Sequence, residues 1–154
     1  MRRKVVFLTL VLLLVSYCFA FAGDANRPWP ESIDEYVAAV KKTINLIDME
    51  AFKKVVENKG DAVILDVREP EEYASGHVPG AINIPRGLAE FAIWKKVAGF
   101  PDKTDTSKKL YIYCKLSGRA ALTAKALKDV GFTNVTSVNM KMDDWVKAGH
   151  PVER

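Results

Sequence analysis

The residues of this chain best suited to covalent chemistry lie within six positions: Cys114, Lys115, Leu116, Ser117, Gly118 and Arg119. A cysteine attacks as its thiolate, so the surroundings that favour the charged form decide whether it reacts. Just before it, Leu110 to Tyr113 (L-Y-I-Y) is a short aromatic and β-branched run suited to a buried strand. From Ala120 onward, Ala121, Leu122, Ala124, Leu127 and Val130 keep a helical period, and Gly131 stands where that helix would close. Cys114 is thus expected at the carboxyl end of a strand, in a loop that opens a helix. Amides there have no intrahelical acceptor and the helix end is partially positive, so both favour an anion. Lys115 and Arg119 add two cations. A free cysteine is more often a small core residue, but a glycine and two cations within five positions argue for a nucleophile.

The elements that must position this loop begin after a leader. Met1 to Ala22 has a cationic start (Arg2, Arg3, Lys4), an apolar run from Val5 to Val15 and the small-x-small signal Ala20-Phe21-Ala22. It reads as a secretory signal cleaved before Gly23, which places the mature protein outside the cytoplasm, in a periplasm-like compartment. A lipoprotein signal using Cys18 is disfavoured by the bulky Tyr17 before it, and an uncleaved anchor by the short apolar run. Removing the leader takes the formal charge from +4 to +1, with 20 cations against 19 acids. The basic balance of the whole chain is therefore no sign of a nucleic-acid partner, and the membrane enters only through the signal segment. Cleavage also leaves Cys114 as the lone cysteine, without an internal disulfide, a C-x-x-C pair or a zinc cluster. No cofactor or metal is expected.

Residues 23–46 read as a leader and an added helix, and 47–154 as one domain. Glu31 to Lys42 places Ile33, Tyr36, Val37 and Val40 on one helical face, which is expected to pack on the domain. Asp48 is an expected N-cap for a helix through Asn58 that turns Phe52, Val55 and Val56 inward. Ala62 to Val67 (A-V-I-L-D-V) is a continuous apolar run of the kind covered on both faces of a sheet, and further strand signals lie at Ala81 to Ile84 and Val135 to Val138. The alternation predicts an α/β fold: a mostly parallel sheet with helices on both faces.

Leu65-Asp66-Val67-Arg68-Glu69, then Glu72-Tyr73-Ala74-Ser75-Gly76-His77-Val78-Pro79-Gly80-Ala81-Ile82-Asn83-Ile84-Pro85, then Tyr-Cys and a loop ending in arginine, resembles the rhodanese family from about Ile47 to Pro151. The resemblance implies a five-stranded parallel sheet flanked by helices, and a catalytic Cys114 that carries sulfur as a persulfide. It also gives His77 a structural part. Four residues between Cys114 and Arg119 match the loop of rhodanese-type sulfurtransferases. The related dual-specificity phosphatases have five residues there, around a larger phosphate.

The expected function is transfer of sulfane sulfur from thiosulfate or a similar small anionic donor to a thiol, cyanide or protein acceptor. Lys115, Leu116, Ser117, Gly118 and Arg119 would bind the donor, with Asp66, Arg68 and His77 as structural support. A noncatalytic sulfur carrier or protein-binding module is the alternative. Two departures stand out. Ser117 replaces a glycine common in the family, and Met140 and Lys141 replace a usual glycine pair before Trp145. The bulkier pair is expected to reshape or narrow the pocket.

Overall fold

In the computed structural model, residues 28–154 are described. The expected signal segment, its cleavage point before Gly23 and Cys18 lie outside them. Two units are distinguished, Met1–Glu31 and Ser32–Arg154, and all the elements below belong to the second.

Helix α1 (Ile33–Lys41) is capped by Ser32, whose Oγ accepts the Glu35 amide at 3.1 Å. Strand β1 is Asn45–Ile47, and α2 is Met49–Glu57 with the Asp48 carboxylate accepting the Ala51 amide at 2.8 Å. Then come β2 (Val63–Asp66), α3 (Pro70–Ala74) and β3 (Ala81–Asn83). A 3₁₀ turn over Arg86–Leu88 leads into α4 (Ala89–Ile93), which continues as a π-helical turn over Trp94–Ala98. The last elements are β4 (Leu110–Tyr113), α5 (Gly118–Asp129), β5 (Val135–Val138) and α6 (Met142–Lys147).

The five strands form one sheet in the order β1-β5-β4-β2-β3, with every neighbouring pair parallel. The α/β fold with helices on both faces is as the residue pattern and the resemblance led one to expect. Leu110, Ile112 and Cys114 join the apolar layer under α4 and α5, with Leu65, Ile93, Ala124 and Leu127. Tyr111 and Tyr113 point the other way, into a layer with Phe52, Ile64, Met140 and Trp145. This is the twofold alternation of a strand, and it sends Cys114 and Tyr113 to opposite sides of one sheet. On the second side, Phe52 packs against Trp145 and Tyr113 with ring centroids 5.4 and 5.9 Å apart, contacts each worth about 0.5–1.5 kcal/mol beyond burial.

Residues 45 and 46, read in sequence as part of the leader and added helix, are instead the first two of β1, paired with Thr136 and Ser137. The strand is three residues long and half exposed at the sheet edge, so neither length nor alternation marks it in the sequence. Helix α5 does end where expected. Gly131 (φ 99°) donates to the Lys128 carbonyl and Phe132 to that of Leu127, the paired bonds of a Schellman closure. Of the apolar face predicted for α1, Val40 is buried against the domain, whereas Ile33 stays 64% exposed.

Candidate active site

Cys114 follows β4 directly and is 1% exposed. Its Sγ accepts the backbone N–H of Ala120, in the first turn of α5, at 3.4 Å. Among the described residues, the N–H groups of Leu116, Ser117, Gly118 and Arg119 find no protein acceptor. The loop therefore presents donors to a bound anion at the end of a strand, where the fold leaves a crevice. The thiol forms part of the wall of a groove of about 520 Å³, bounded by Ile33, Val37, Ala38 and Lys41 of α1, the loop itself and Leu122 of α5. Leu116 is 62% exposed beside it.

The structure brings Lys115 and Arg119 to the loop in different ways. Lys115 is exposed and borders the groove, while its carbonyl accepts the Met142 amide at 3.0 Å, tying the loop to the start of α6. Arg119 is engaged on its far side: its guanidinium donates to both carboxylate oxygens of Glu72 at 2.6 and 2.9 Å and lies 3.7 Å from Glu69. The Arg119 hydrogen bonds hold the Glu72 carboxyl down at about 2. The paired charge lets Arg119 close the loop against α3, and Cys114 stands close enough to contribute to its field. Sequence reasoning passed over Glu72 as an element of the site; it lies 47 positions from Arg119, beyond any local pattern.

Asp66 and Arg68 form the buried support on the other face. The Arg68 Nε and Nη2 donate to the Asp66 carboxylate at 2.6–3.0 Å, and Nη2 also reaches the Gly76 carbonyl at 2.8 Å. Tyr113, unassigned by the sequence reading, completes the group: its hydroxyl donates to Asp66 Oδ2 at 2.6 Å and accepts the Val78 amide at 3.0 Å. Burial first, and then the Asp66 charge, raise the Tyr113 phenol well above its ordinary range. A buried ion pair is tolerable only when further hydrogen bonds support it, and here the Asp66 carboxylate accepts from the Arg68 amide, Nε and Nη2 and from the Tyr113 hydroxyl. The network fixes the β2–α3 connection and the Gly76–Val78 turn behind the residue that precedes the cysteine.

His77 lies in that turn and away from the thiol. Its ring stacks on Tyr73 with centroids 3.7 Å apart, Nδ1 is 3.1 Å from the Tyr73 carbonyl, and its backbone pairs with Glu153. Its contacts tie the chain's last residues to the turn.

Met140 and Lys141 flank the loop on the side opposite α5. They line a second groove of about 580 Å³ with Lys41, Asp48, Leu116 and Ser117, and Cys114 is absent from its walls. Met140 is 6% exposed and packs in the aromatic layer, so its bulk serves the core as well as the groove. Ser117 lines this second groove and not the one beside Cys114; it has φ 66° and its Oγ accepts from Lys41 Nζ at 2.7 Å. No group of three or more His, Cys, Asp or Glu with metal-binding geometry occurs among the described residues.

Comparison with known proteins supplies what geometry alone does not. The Rhodanese-like domain family matches residues 48–148. YrkF of Bacillus subtilis (strain 168), named as a candidate sulfur carrier protein, is 36% identical over 123 residues, which are 80% of this chain but only 62% of that protein. The thiosulfate:glutathione sulfurtransferase of Saccharomyces cerevisiae is 34% identical, over 69% of this chain and 81% of its own length. Among solved structures, protein RPA3614 of Rhodopseudomonas palustris CGA009, described as of unknown function and a possible tyrosine phosphatase, is 26% identical with a TM-score of 0.68. It is matched over 98% of its length and 82% of this chain.

Proposed function

Because the chain belongs to the Rhodanese-like domain family, we propose that it is a sulfurtransferase that moves sulfane sulfur from a small anionic donor such as thiosulfate to a thiophilic acceptor. The Cys114 thiolate attacks the outer sulfur of thiosulfate. A new S–S bond forms at Cys114, the S–S bond of the donor breaks, and its electron pair leaves with sulfite. An acceptor thiolate or cyanide then attacks the outer sulfur of the persulfide, and Cys114 departs as thiolate. No net oxidant is consumed.

The observation that carries this reading is the placement of Sγ beneath the first turn of α5, with the Ala120 N–H directed at it and the neighbouring loop amides unpaired. These donors suit the persulfide anion as well as the thiolate. Lys115, exposed at the rim, is positioned to attract the sulfonate end of the donor. The four-residue spacing between Cys114 and Arg119 favours sulfur transfer over phosphoryl chemistry, for which the ring of amides would have to surround a larger group.

The test is intact mass. Thiosulfate should add one sulfur atom, cyanide should remove it as thiocyanate, and Cys114→Ser should do neither. Folded wild-type protein that gains no sulfur from several donors would refute the enzyme reading. The likeness to YrkF favours one alternative, a carrier that loads sulfur and delivers it to a single protein partner. Loading without multiple turnovers against small acceptors would select it. The same proposal takes the chain as exported, most simply to a periplasm, with the mature protein beginning at Gly23.

A further inference from the structure

Lys41 ends α1, seven residues before the family match begins at residue 48. Its half-buried side chain crosses to the active-site loop, where Nζ donates to Ser117 Oγ at 2.7 Å and to Asn139 Oδ1 at 2.8 Å. Asn139 is itself anchored, since its amide donates to the Ile47 carbonyl at 2.8 Å. One ammonium group thus joins the end of α1, the Cys114 loop and the end of β5.

Its loop partner is the unusual one. Among the described residues, Ser117 is the sole non-glycine with positive φ. A side chain disfavours that conformation through the clash of Cβ with the backbone. Glycine would adopt it freely; serine needs a restraint. The conformation matters because Ser117 turns the chain into α5: its carbonyl accepts the Ala121 amide, and Ala120, one residue earlier, donates to Cys114 Sγ. If Ser117 relaxed to negative φ, the first turn of α5 would be re-aimed and this donor would leave the sulfur.

We propose that Lys41 is a positioning residue that holds Ser117 in its left-handed conformation, so that a helix outside the family's own segment sets the shape of the Cys114 loop. Lys41 acts through Ser117. The kinetic consequences of the proposal rest on the sulfurtransferase reading; its structural consequences do not.

The experiment compares wild type, Lys41→Met, Ser117→Ala and the double variant by native-state hydrogen exchange of the 114–121 segment and by single-turnover sulfur loading from thiosulfate. Alanine at 117 keeps the Cβ and removes the acceptor, so both single variants lose the same restraint. Each should speed exchange of the Ala120 and Ala121 amides, whose acceptors are Cys114 Sγ and the Ser117 carbonyl, and lower the maximal loading rate about tenfold, the low end of what one charge-assisted hydrogen bond contributes. The thiosulfate concentration at half-saturation should stay within about twofold, and the double variant should be no worse than either single one. Unchanged loop exchange in Lys41→Met overturns the proposal, and so do single effects that multiply in the double variant. A raised half-saturation concentration at unchanged maximal rate also overturns it, in favour of a cation that merely attracts the donor. Should Lys41→Met loosen α1 itself, seen as faster exchange at 33–41, Ser117→Ala decides alone because it leaves the lysine in place. Wild type that takes no sulfur from thiosulfate refutes the functional reading, while the exchange measurements still decide the role of Lys41.

Discussion

Replacing Tyr113 by phenylalanine removes one oxygen and leaves the ring among its neighbours. That oxygen donates to Asp66 Oδ2 at 2.6 Å and accepts the Val78 amide at 3.0 Å. A hydrogen bond to a charged acceptor contributes about 1.5–3 kcal/mol, and a buried amide left without an acceptor costs about 1–3 kcal/mol. The two losses share one atom and do not simply add, so about 3 kcal/mol is expected. For a domain of this size that is a fall in Tm of roughly 10–15 °C. Urea unfolding at pH 7 with an unchanged slope measures it, and a loss under about 1 kcal/mol would refute the account of the buried network. The pH dependence gives a second check. The phenol's folded-state titration is raised by burial and then by Asp66, so its stabilisation is complete below the ordinary value of 10 and is lost as pH rises above it. The difference between wild type and Tyr113→Phe should therefore shrink above pH 10. Taking the difference cancels the similar but separate shift of Tyr73.

Glu72→Gln should destabilise by about 1–2 kcal/mol, a discounted value because the pair is partly solvated. The carboxylate's contribution is present above its ordinary 4.5 and is lost as pH falls toward about 2, so wild type and variant should converge across that acid window in denaturant titrations. Lys141→Gly should leave stability within about 0.5–1 kcal/mol while Met140→Gly loses about 2–5 kcal/mol. Thiosulfate kinetics of Lys141→Gly then isolate any narrowing, and equal stabilities of the two variants would contradict the core role of Met140. N-terminal sequencing of exported protein should begin at Gly23; a lipid-modified start at Cys18 would contradict cleavage by the ordinary signal route.

The sequence made legible what depends on short-range pattern. The run L-Y-I-Y before Cys114, the apolar period of α5 and its closing Gly131, and the Asp48 cap all depend on neighbours a few positions apart. What escaped was set by distance along the chain or by shortness. Lys41 meets Ser117 across 76 positions and Arg119 meets Glu72 across 47. In sequence, Lys41 is one more cation in a Lys-Lys pair ending an amphipathic helix, and Tyr113 is an aromatic in a strand whose hydroxyl has no visible destination. Strand β1 offers three residues at an edge, one apolar side chain of which is 39% exposed. Its assignment depends on β5 as a partner rather than on its own composition.

The depth of Cys114 has a consequence for what the protein can meet. A disulfide between two copies would need their Cα atoms within about 4.4–6.8 Å, and a thiol only 1% exposed at the end of a central strand cannot approach that closely to its twin. Cys114, the one cysteine among the described residues, is thus guarded from self-crosslinking by shape. The same shape screens acceptors. On the sulfurtransferase reading proposed above, a slender thiol or cyanide would reach the outer sulfur of a Cys114 persulfide, whereas a protein acceptor would have to offer its nucleophile on an extended tail or loop tip that enters between α1 and the Cys114 loop.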